Sequence, residues 1–143
     1  MNAPPPPRLT PEQYRALAAF RYQLRRFLAF SSREAETAGL APQQYQAMLA
    51  MKARAGERPL TIGELAEQLL VRQHSAAELV NRMESAGLVR RAPAPGDARR
   101  VAVLLTPEGD AAIDSLAATH LQELTQNEGL VGRLLTLLDK SQG

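Results

Sequence analysis

The middle of the chain shows two short stretches of apolar residues at helical spacing, followed by a stretch in which apolar residues alternate. Between residues 60 and 87 the helical spacing predicts two helices joined by a turn, which together make a helix-turn-helix. The first is expected to begin at Thr61, because Thr61 and Glu64 have the spacing of a capping box. The second is predicted from Gln73, and Gly87 is expected to end it. The inward positions are Ile62, Leu65, Ala66 and Leu69 in the first helix and Ala76, Leu79, Val80 and Met83 in the second.

A β-hairpin is predicted directly after this pair of helices. Its first strand covers Val89 to Arg91, its loop covers residues 92–98, and its second strand runs from Arg99 to Leu105. The loop contains two prolines and a glycine, and the second strand has the alternation of apolar residues that is typical of a half-buried strand. A hairpin with basic flanks at this position has the shape of a wing.

The outward face of the second helix suits contact with DNA. Small or polar side chains form a stripe opposite the apolar one, and groups of this kind reach base edges in a major groove. The stripe consists of His74, Ala77, Glu78, Asn81 and Ser85. The net charge of +2 is uninformative, but its distribution is not: residues 72–100 contain six arginines and only three acidic residues, whereas residues 101–132 contain acidic side chains and no Lys or Arg. A localised basic face is the electrostatic pattern of a DNA-binding surface.

Three segments resemble the MarR family of winged-helix transcriptional regulators, and the resemblance extends from about Thr10 to the C-terminus. They are Thr61-Ile-Gly-Glu-Leu-Ala-Glu-Gln-Leu, Leu79-Val-Asn-Arg-Met-Glu-Ser-Ala-Gly-Leu-Val-Arg-Arg and Gly96-Asp-Ala-Arg-Arg-Val-Ala-Val-Leu-Leu-Thr-Pro-Glu-Gly. The resemblance implies a mainly α fold with a small β-hairpin wing, and a dimer whose body is built from the N- and C-terminal helices. It also implies a repressor that binds double-stranded DNA at a pseudo-palindromic operator.

The predicted DNA contacts fall into two groups. The recognition helix would enter the major groove, where Glu78 could accept from cytosine and Asn81 could pair with adenine. Its candidate residues are Gln73, His74, Ser75, Ala77, Glu78, Asn81 and Arg82. Other basic residues would contact phosphates, and the tip of the wing, which matches the family's Asp-x-Arg motif, would enter the minor groove. These residues are Arg72, Arg90, Arg91, Asp97, Arg99 and Arg100, with Ala98 where the family usually carries a second Arg.

The termini predict the dimer body. Residues 1–9 form a Pro-rich tail, and a Thr-Pro-Glu-Gln start at Thr10 predicts a long helix to about Ala38. The apolar stripe of this helix covers about half of its circumference, so more than one partner is expected to cover it. Residues 10–40 and 107–143 are therefore expected to form a helical dimerisation region, and residues 41–106 the winged helix-turn-helix, within one compact domain. Further helices are predicted from Pro42 to about Arg54, from Thr106 to about residue 126, and from residue 130 to 138.

No chemistry of an enzyme is recognisable in the sequence. The chain has no cysteine, its two histidines lie in different predicted helices, and neither a phosphate-binding loop nor a set of metal ligands is present. No cofactor is expected. Neither a signal peptide nor a run of apolar residues long enough to cross a bilayer is recognisable, so the protein is expected to be cytoplasmic and not bound to a membrane.

A small-molecule effector is a further expectation. Arg21 and His120 are ionisable groups on otherwise apolar faces, and with Tyr14 and Met48 they could line a pocket for an anionic aromatic compound. The alternative is that Arg21 forms a salt bridge and that His120 is a hydrogen-bonded core residue. Two other functions stay open: a ligand-independent architectural DNA-binding protein, and a winged helix that binds proteins instead of DNA.

Overall fold

The computed structural model describes residues 2–126 and contains the hairpin and the helices that were predicted within that range. Residues 2–9 are exposed and have no regular secondary structure. The predicted helix over residues 130–138 and the break before it lie outside the described residues. The elements, in chain order, are α1 (Pro11–Thr37), α2 (Pro42–Lys52), α3 (Ile62–Leu69), α4 (Gln73–Ser85), β1 (Val89–Ala94), β2 (Asp97–Leu105) and α5 (Pro107–Gln126).

The described chain separates into two packed units. The first contains residues 2–30 and 122–126, and the second contains residues 31–121, so α1 and α5 each contribute to both. In the first unit the predicted helix start is present at Thr10. Its backbone N–H donates to Oε1 of Gln13 over 2.8 Å, and its hydroxyl accepts from the Gln13 N–H over 3.2 Å. Within residues 2–126, no helix has the length and apolar character needed to cross a membrane.

The second unit is built around one apolar core. Met48 from α2, Leu65 from α3, Met83 from α4 and Ile113 from α5 are fully buried at its centre. The predicted inward faces of the helix-turn-helix are confirmed: the core includes Ala66, Ala76, Leu79 and Val80, and Ile62 and Leu69 pack against it partly buried.

The capping box of α3 is present as predicted. The hydroxyl of Thr61 accepts from the N–H of Glu64 over 3.2 Å, and the Thr61 N–H donates to Oε1 of Glu64 over 3.3 Å. Arg58 lies 3.1 Å from the same carboxylate. Burial raises the pKa of Glu64, but the hydrogen bonds from Thr61 and the charges of Arg58 and Arg100 together outweigh that effect, so the pKa lies below its usual value.

The hairpin is longer than predicted, and its loop is correspondingly shorter. Pairing continues from Val89 opposite Leu105 to Pro93 opposite Val101, and an irregular step then pairs Ala94 with Asp97. The predicted loop over residues 92–98 was therefore wrong, because the turn reduces to Pro95 and Gly96. Gly96 has φ +81°, a conformation that glycine adopts without steric cost.

A third extended segment joins the hairpin, which the sequence did not indicate. The N–H of Val103 donates to the carbonyl of Leu60 over 2.9 Å, and Thr61 forms an antiparallel bridge with Ala102. The residues that begin α3 thus pair with the second strand of the wing, so the wing and the helix-turn-helix are joined through backbone hydrogen bonds.

The start of α5 packs against the residues that follow the end of α4. The Thr106 hydroxyl donates to the carbonyl of Gly87 over 2.6 Å and accepts from the N–H of Gly109 over 3.1 Å. The Thr106 N–H donates to the carbonyl of Leu88 over 3.0 Å. Gly109 approaches that Leu88 carbonyl so closely that a Cβ built on it would lie 2.0 Å from the oxygen.

Candidate DNA-binding face

The first turn of α4 is open to solvent. Arg72 occupies the N-cap position without a capping hydrogen bond from its side chain, and Gln73, His74 and Ser75 are exposed. The first amide groups of a helix point outward along its axis and favour a phosphate or another anion near them. This end of α4 therefore presents backbone donors, polar side chains and one arginine on the same surface.

One pair on the exposed face of α4 bears on the predicted reading of cytosine. His74 Nε2 lies 3.2 Å from Oε1 of Glu78, one helical turn away, and both side chains are largely exposed. A cytosine amino group would have to compete with His74 for the Glu78 carboxylate. The contact holds both side chains on the outward face, where the helical spacing predicted them.

Arg91 lies along α4 and is not directed away from the protein toward a phosphate. Its Nη1 donates to Oε1 of Glu84 over 2.8 Å, and its Nη2 donates to Oδ1 of Asn81 over 2.6 Å. The same Nη2 lies 3.5 Å from the carbonyl of Ala77, and the Arg91 backbone N–H donates to Oε2 of Glu84 over 3.2 Å. The guanidinium ties β1 to α4, and the phosphate contact predicted for Arg91 stays a prediction.

The wing ends in the predicted pair of opposite charges. Oδ1 of Asp97 accepts from the backbone N–H of Arg99 over 3.2 Å and lies 3.4 Å from Nε of the same residue. The Arg99 side chain is 93% exposed, so the pair orients the arginine without covering it. Arg100 differs, because its Nη2 lies 3.4 Å from the Thr61 hydroxyl and is directed back toward the start of α3.

The remaining basic candidates are exposed. Arg72, Arg82 and Arg90 lie on the surface at the N-cap of α4, in its last turn and in β1 respectively. With Arg99 they form the DNA-facing arginine set, the name used below for these four residues. Sequence reasoning did not assign a role to Glu84. Its position seven residues before Arg91, with the opposite charge, was the available signal.

The four residues predicted for an effector pocket divide between the two units. Tyr14 and Arg21 are exposed in the first unit, whereas Met48 and His120 are buried in the second. Met48 is fully buried in the apolar core, so it offers no surface to a ligand within that unit.

His120 is held on several sides within the second unit. Its Nδ1 lies 2.7 Å from the carbonyl of Leu116, and its Nε2 lies 2.7 Å from the hydroxyl of Ser31. A carbonyl oxygen only accepts, so Nδ1 donates, and the Nε2 of the neutral ring accepts from Ser31. The ring also stacks on Tyr45 with centroids 4.5 Å apart. The interpretation of His120 as a hydrogen-bonded core residue agrees with these contacts.

No metal centre forms among residues 2–126, because no three His, Cys, Asp or Glu side chains in that range come together in a suitable arrangement. What the second unit does bring together is a helix with an open N-terminus, a polar outward face and an arginine-tipped hairpin. This combination suits a nucleic-acid duplex, because arginines contact phosphates and the helix fits a major groove.

Known proteins with this arrangement are similar to the chain in sequence and in structure. The model of the MarR family matches residues 38–100. The regulator PecS of Dickeya dadantii (strain 3937) is 25% identical over 83 residues, which is 58% of this chain and 50% of PecS. The aligned part thus spans about half the length of that curated relative.

Two solved structures extend the likeness over most of the chain. Apo MarR from E. coli has a TM-score of 0.65 and 26% identity, and the match covers 88% of this chain and 93% of that one. A mutant of Staphylococcus aureus MepR, solved bound to an oligodeoxyribonucleotide, has a TM-score of 0.64 and 18% identity, with 85% and 94% covered. The second likeness shows the fold alone. The winged helix-turn-helix and these matches together support a MarR-family winged-helix transcriptional regulator.

Proposed function

We propose that the protein is a sequence-specific DNA-binding repressor that acts as a homodimer on a pseudo-palindromic operator. The observation that carries the proposal is the exposed face of α4 together with the DNA-facing arginine set in the same unit. Gln73, His74 and Ser75 lie at the open end of the helix, where they can reach base edges. That a mutant MepR was solved with an oligodeoxyribonucleotide supports the same use of the shared fold.

The arginines would divide the work with the helix. Arg72 at the N-cap and Arg82 and Arg90 farther along would contact phosphates and fix the register of the protein on the duplex. Arg99, held by Asp97 at the tip of the hairpin, would enter the minor groove beside the site. Arg100 would contribute less, because its side chain is directed toward Thr61.

A dimer follows from the need to read two half-sites. A homodimer with two-fold symmetry would set its two recognition helices in successive major grooves, about 34–36 Å apart, and the operator would mirror that symmetry. Apolar side chains on α1 supply a surface for such association, since Tyr14, Leu17, Leu24 and Leu28 remain exposed in the single chain.

Duplex binding by Arg99→Ala and Arg15→Ala variants tests the proposal. A duplex is first selected from a randomised pool, and affinity is then measured by fluorescence anisotropy at several salt concentrations. Arg99→Ala should weaken binding to selected and scrambled duplexes by similar factors and reduce the salt slope by about 1, because one counterion-releasing contact is lost. Arg15 is the matched control, since it is an exposed arginine on α1 that pairs with Glu12.

Duplex binding that does not change with salt would contradict the phosphate contacts proposed for the arginines and favour a protein-interaction module. If Arg99→Ala bound like Arg15→Ala, the wing would not contact DNA, and that assignment would fail while the role of α4 remained open to test.

Control by an anionic aromatic effector is the finer part of the proposal. The contacts of His120 favour a structural role for that residue, so the candidate anion-binding group is Arg21 on α1, with Tyr14 about two helical turns earlier on the same face. Benzoates and hydroxycinnamates are screened by thermal shift, and any hit is tested for release of DNA from wild type and Arg21→Ala. Release only from wild type would support the role of Arg21, and equal release from both would contradict it.

A further inference from the structure

We propose that Arg91 fixes the side-chain amide of Asn81 so that its NH2 group faces the DNA, and that Asn81 therefore selects guanine and not adenine. This inference rests on the proposed function, because it concerns the bases that α4 reads. It replaces the sequence-based expectation that Asn81 pairs with adenine.

The orientation of the amide follows from the chemistry of arginine. A guanidinium has five N–H donors and no acceptor, so only the oxygen of an asparagine amide can face it. The distance of 2.6 Å between Arg91 Nη2 and Asn81 Oδ1 is short, as expected for a hydrogen bond with a charged donor. With the oxygen turned toward Arg91, the amide nitrogen is turned away from it.

Arg91 is itself held in place, so the orientation is not a matter of one flexible side chain. Glu84 accepts from Nη1 of Arg91 over 2.8 Å and from its backbone N–H over 3.2 Å. The guanidinium thus has a carboxylate on one side and the Asn81 oxygen on the other, and its side chain is mostly covered at 29% exposed. An asparagine that rotated its oxygen toward a base would lose a charge-assisted bond and would set its NH2 against a cation.

The major groove then decides which base suits this amide. Adenine offers an acceptor, N7, beside a donor, the N6 amino group, and a full match needs both the amide NH2 and a free amide oxygen. Guanine offers two acceptors, N7 and O6, and both suit an NH2 group. Cytosine offers a donor, which an NH2 group repels. Guanine is therefore the expected base opposite Asn81.

Selection from a randomised duplex pool, followed by sequencing, tests the inference with Asn81→Ala, Asn81→Asp and Gln46→Ala. Asn81→Asp retains an oxygen for Arg91 and removes the N–H donors, so it separates the reading of a base from the contact with Arg91. Gln46, an exposed amide side chain on α2 outside the predicted DNA contacts, is the control. Folding of each variant is checked by thermal unfolding.

Wild type and Gln46→Ala are expected to share one position in each half-site where guanine is enriched. Asn81→Ala should lose that preference, on the order of 10-fold in relative affinity. Asn81→Asp should move the preference to cytosine, whose amino group donates to a carboxylate. Adenine at the position that Asn81→Ala releases would overturn the inference, and so would an unchanged profile for both Asn81 variants.

Arg91→Ala separates positioning from phosphate contact. If Arg91 orients Asn81, its removal should reduce the preference for guanine over adenine and leave the salt slope unchanged. A salt slope lower by about 1 with unchanged base preference would mean a phosphate contact and would overturn the inference. If the wild type selected no duplex at all, the proposed function would be overturned, and this inference with it. If it selected a duplex whose binding does not depend on Asn81, only the inference would be overturned.

Discussion

Large apolar side chains are exposed in the N-terminal part of α1 and buried in the winged helix-turn-helix. In the second unit the large side chains Met48, Leu65, Met83 and Ile113 are fully buried by neighbours from four helices. In the first unit Tyr14 is 61% exposed, and Leu24 and Leu28 are 41% and 48% exposed. One region satisfies its apolar pattern within the described chain, and the other presents much of it to solvent.

This difference separates two meanings of an apolar stripe in a sequence. A stripe at helical spacing shows which face of a helix avoids water, but it does not show whether the covering partner is the same chain or another one. The stripes of α3 and α4 belong to the first case, since both face the core. The stripe of α1, with exposed leucines at 17, 24 and 28, agrees with the proposed dimer, because exposed apolar patches of this kind mark interaction surfaces.

The largest effect is expected from a charge placed in the α1 stripe. Leu24→Glu should weaken dimerisation by about 4 kcal/mol, roughly 1,000-fold, because two-fold symmetry loses a buried leucine, at about 2 kcal/mol, from each protomer. Ala19→Glu is the control, since Ala19 is exposed on the opposite side of the same helix. Sedimentation equilibrium measures both variants.

A wild-type protein that sediments as a monomer at micromolar concentration would contradict the proposed dimer, because the exposed stripe of α1 would then have no partner. Equal weakening by both glutamates would indicate a general effect of charge on α1, and the stripe would lose its special role.

A somewhat smaller effect, on the free energy of unfolding, is expected from a substitution inside the second unit. Gly109→Ala should lower the free energy of unfolding by about 3 kcal/mol, because its Cβ would lie 2.0 Å from the Leu88 carbonyl oxygen and backbone must shift to admit it. The control is Gly63→Ala in α3, where the nearest atom to an added Cβ is the Thr61 hydroxyl oxygen at 3.9 Å.

Chemical denaturation should give opposite signs for the two substitutions. Gly63→Ala should stabilise by up to about 1 kcal/mol, since alanine favours helix more than glycine does. If Gly109→Ala proved neutral, α5 would pack less closely on the residues that follow α4 than the 2.0 Å approach of the added Cβ indicates.

The sequence predicted the parts of this fold that depend on neighbours along the chain. The capping box at Thr61, the start at Gln73 and the inward face with Met83 depend on residues three or four positions apart, and the structure confirms all three. The wing was predicted in kind and wrong in extent. Its turn, with Gly96 at positive φ, depends on a register that propensity does not fix.

The contacts that the sequence did not reveal join residues distant along the chain. Examples are the pairing of Val103 with Leu60 and the approach of Arg91 to Asn81 and Glu84. Arg91 was assigned to phosphate on charge alone, because charge is visible in a sequence and the partner of that charge is not. The missing partner matters most for a residue that reads a base, because hydrogen bonds from another element decide which atoms of its side chain remain available to the DNA.

The smallest effect concerns an exception within the second unit. Leu70, in the turn between α3 and α4, is 92% exposed and has a left-handed backbone with φ 56° and ψ 41°. The left-handed conformation is unfavourable by about 1 kcal/mol for a residue such as leucine, whereas asparagine tolerates it better. Leu70→Asn should therefore raise the free energy of unfolding by about 0.5–1 kcal/mol, measured by chemical denaturation.

Gln68→Asn provides the matched control for Leu70→Asn, because it introduces the same residue two positions earlier at an exposed site of ordinary helical backbone. Asparagine favours helix less than glutamine does, so the free energy of unfolding of this variant should fall by a few tenths of a kcal/mol.

A stabilised Leu70→Asn that still forms dimers and binds DNA as wild type does would mean that the exposed leucine only destabilises the turn locally. Loss of dimer or of duplex binding in Leu70→Asn would instead make the turn a second contact surface. The contrast between a self-contained winged helix and an outward-facing α1 would then no longer hold at the start of the recognition helix.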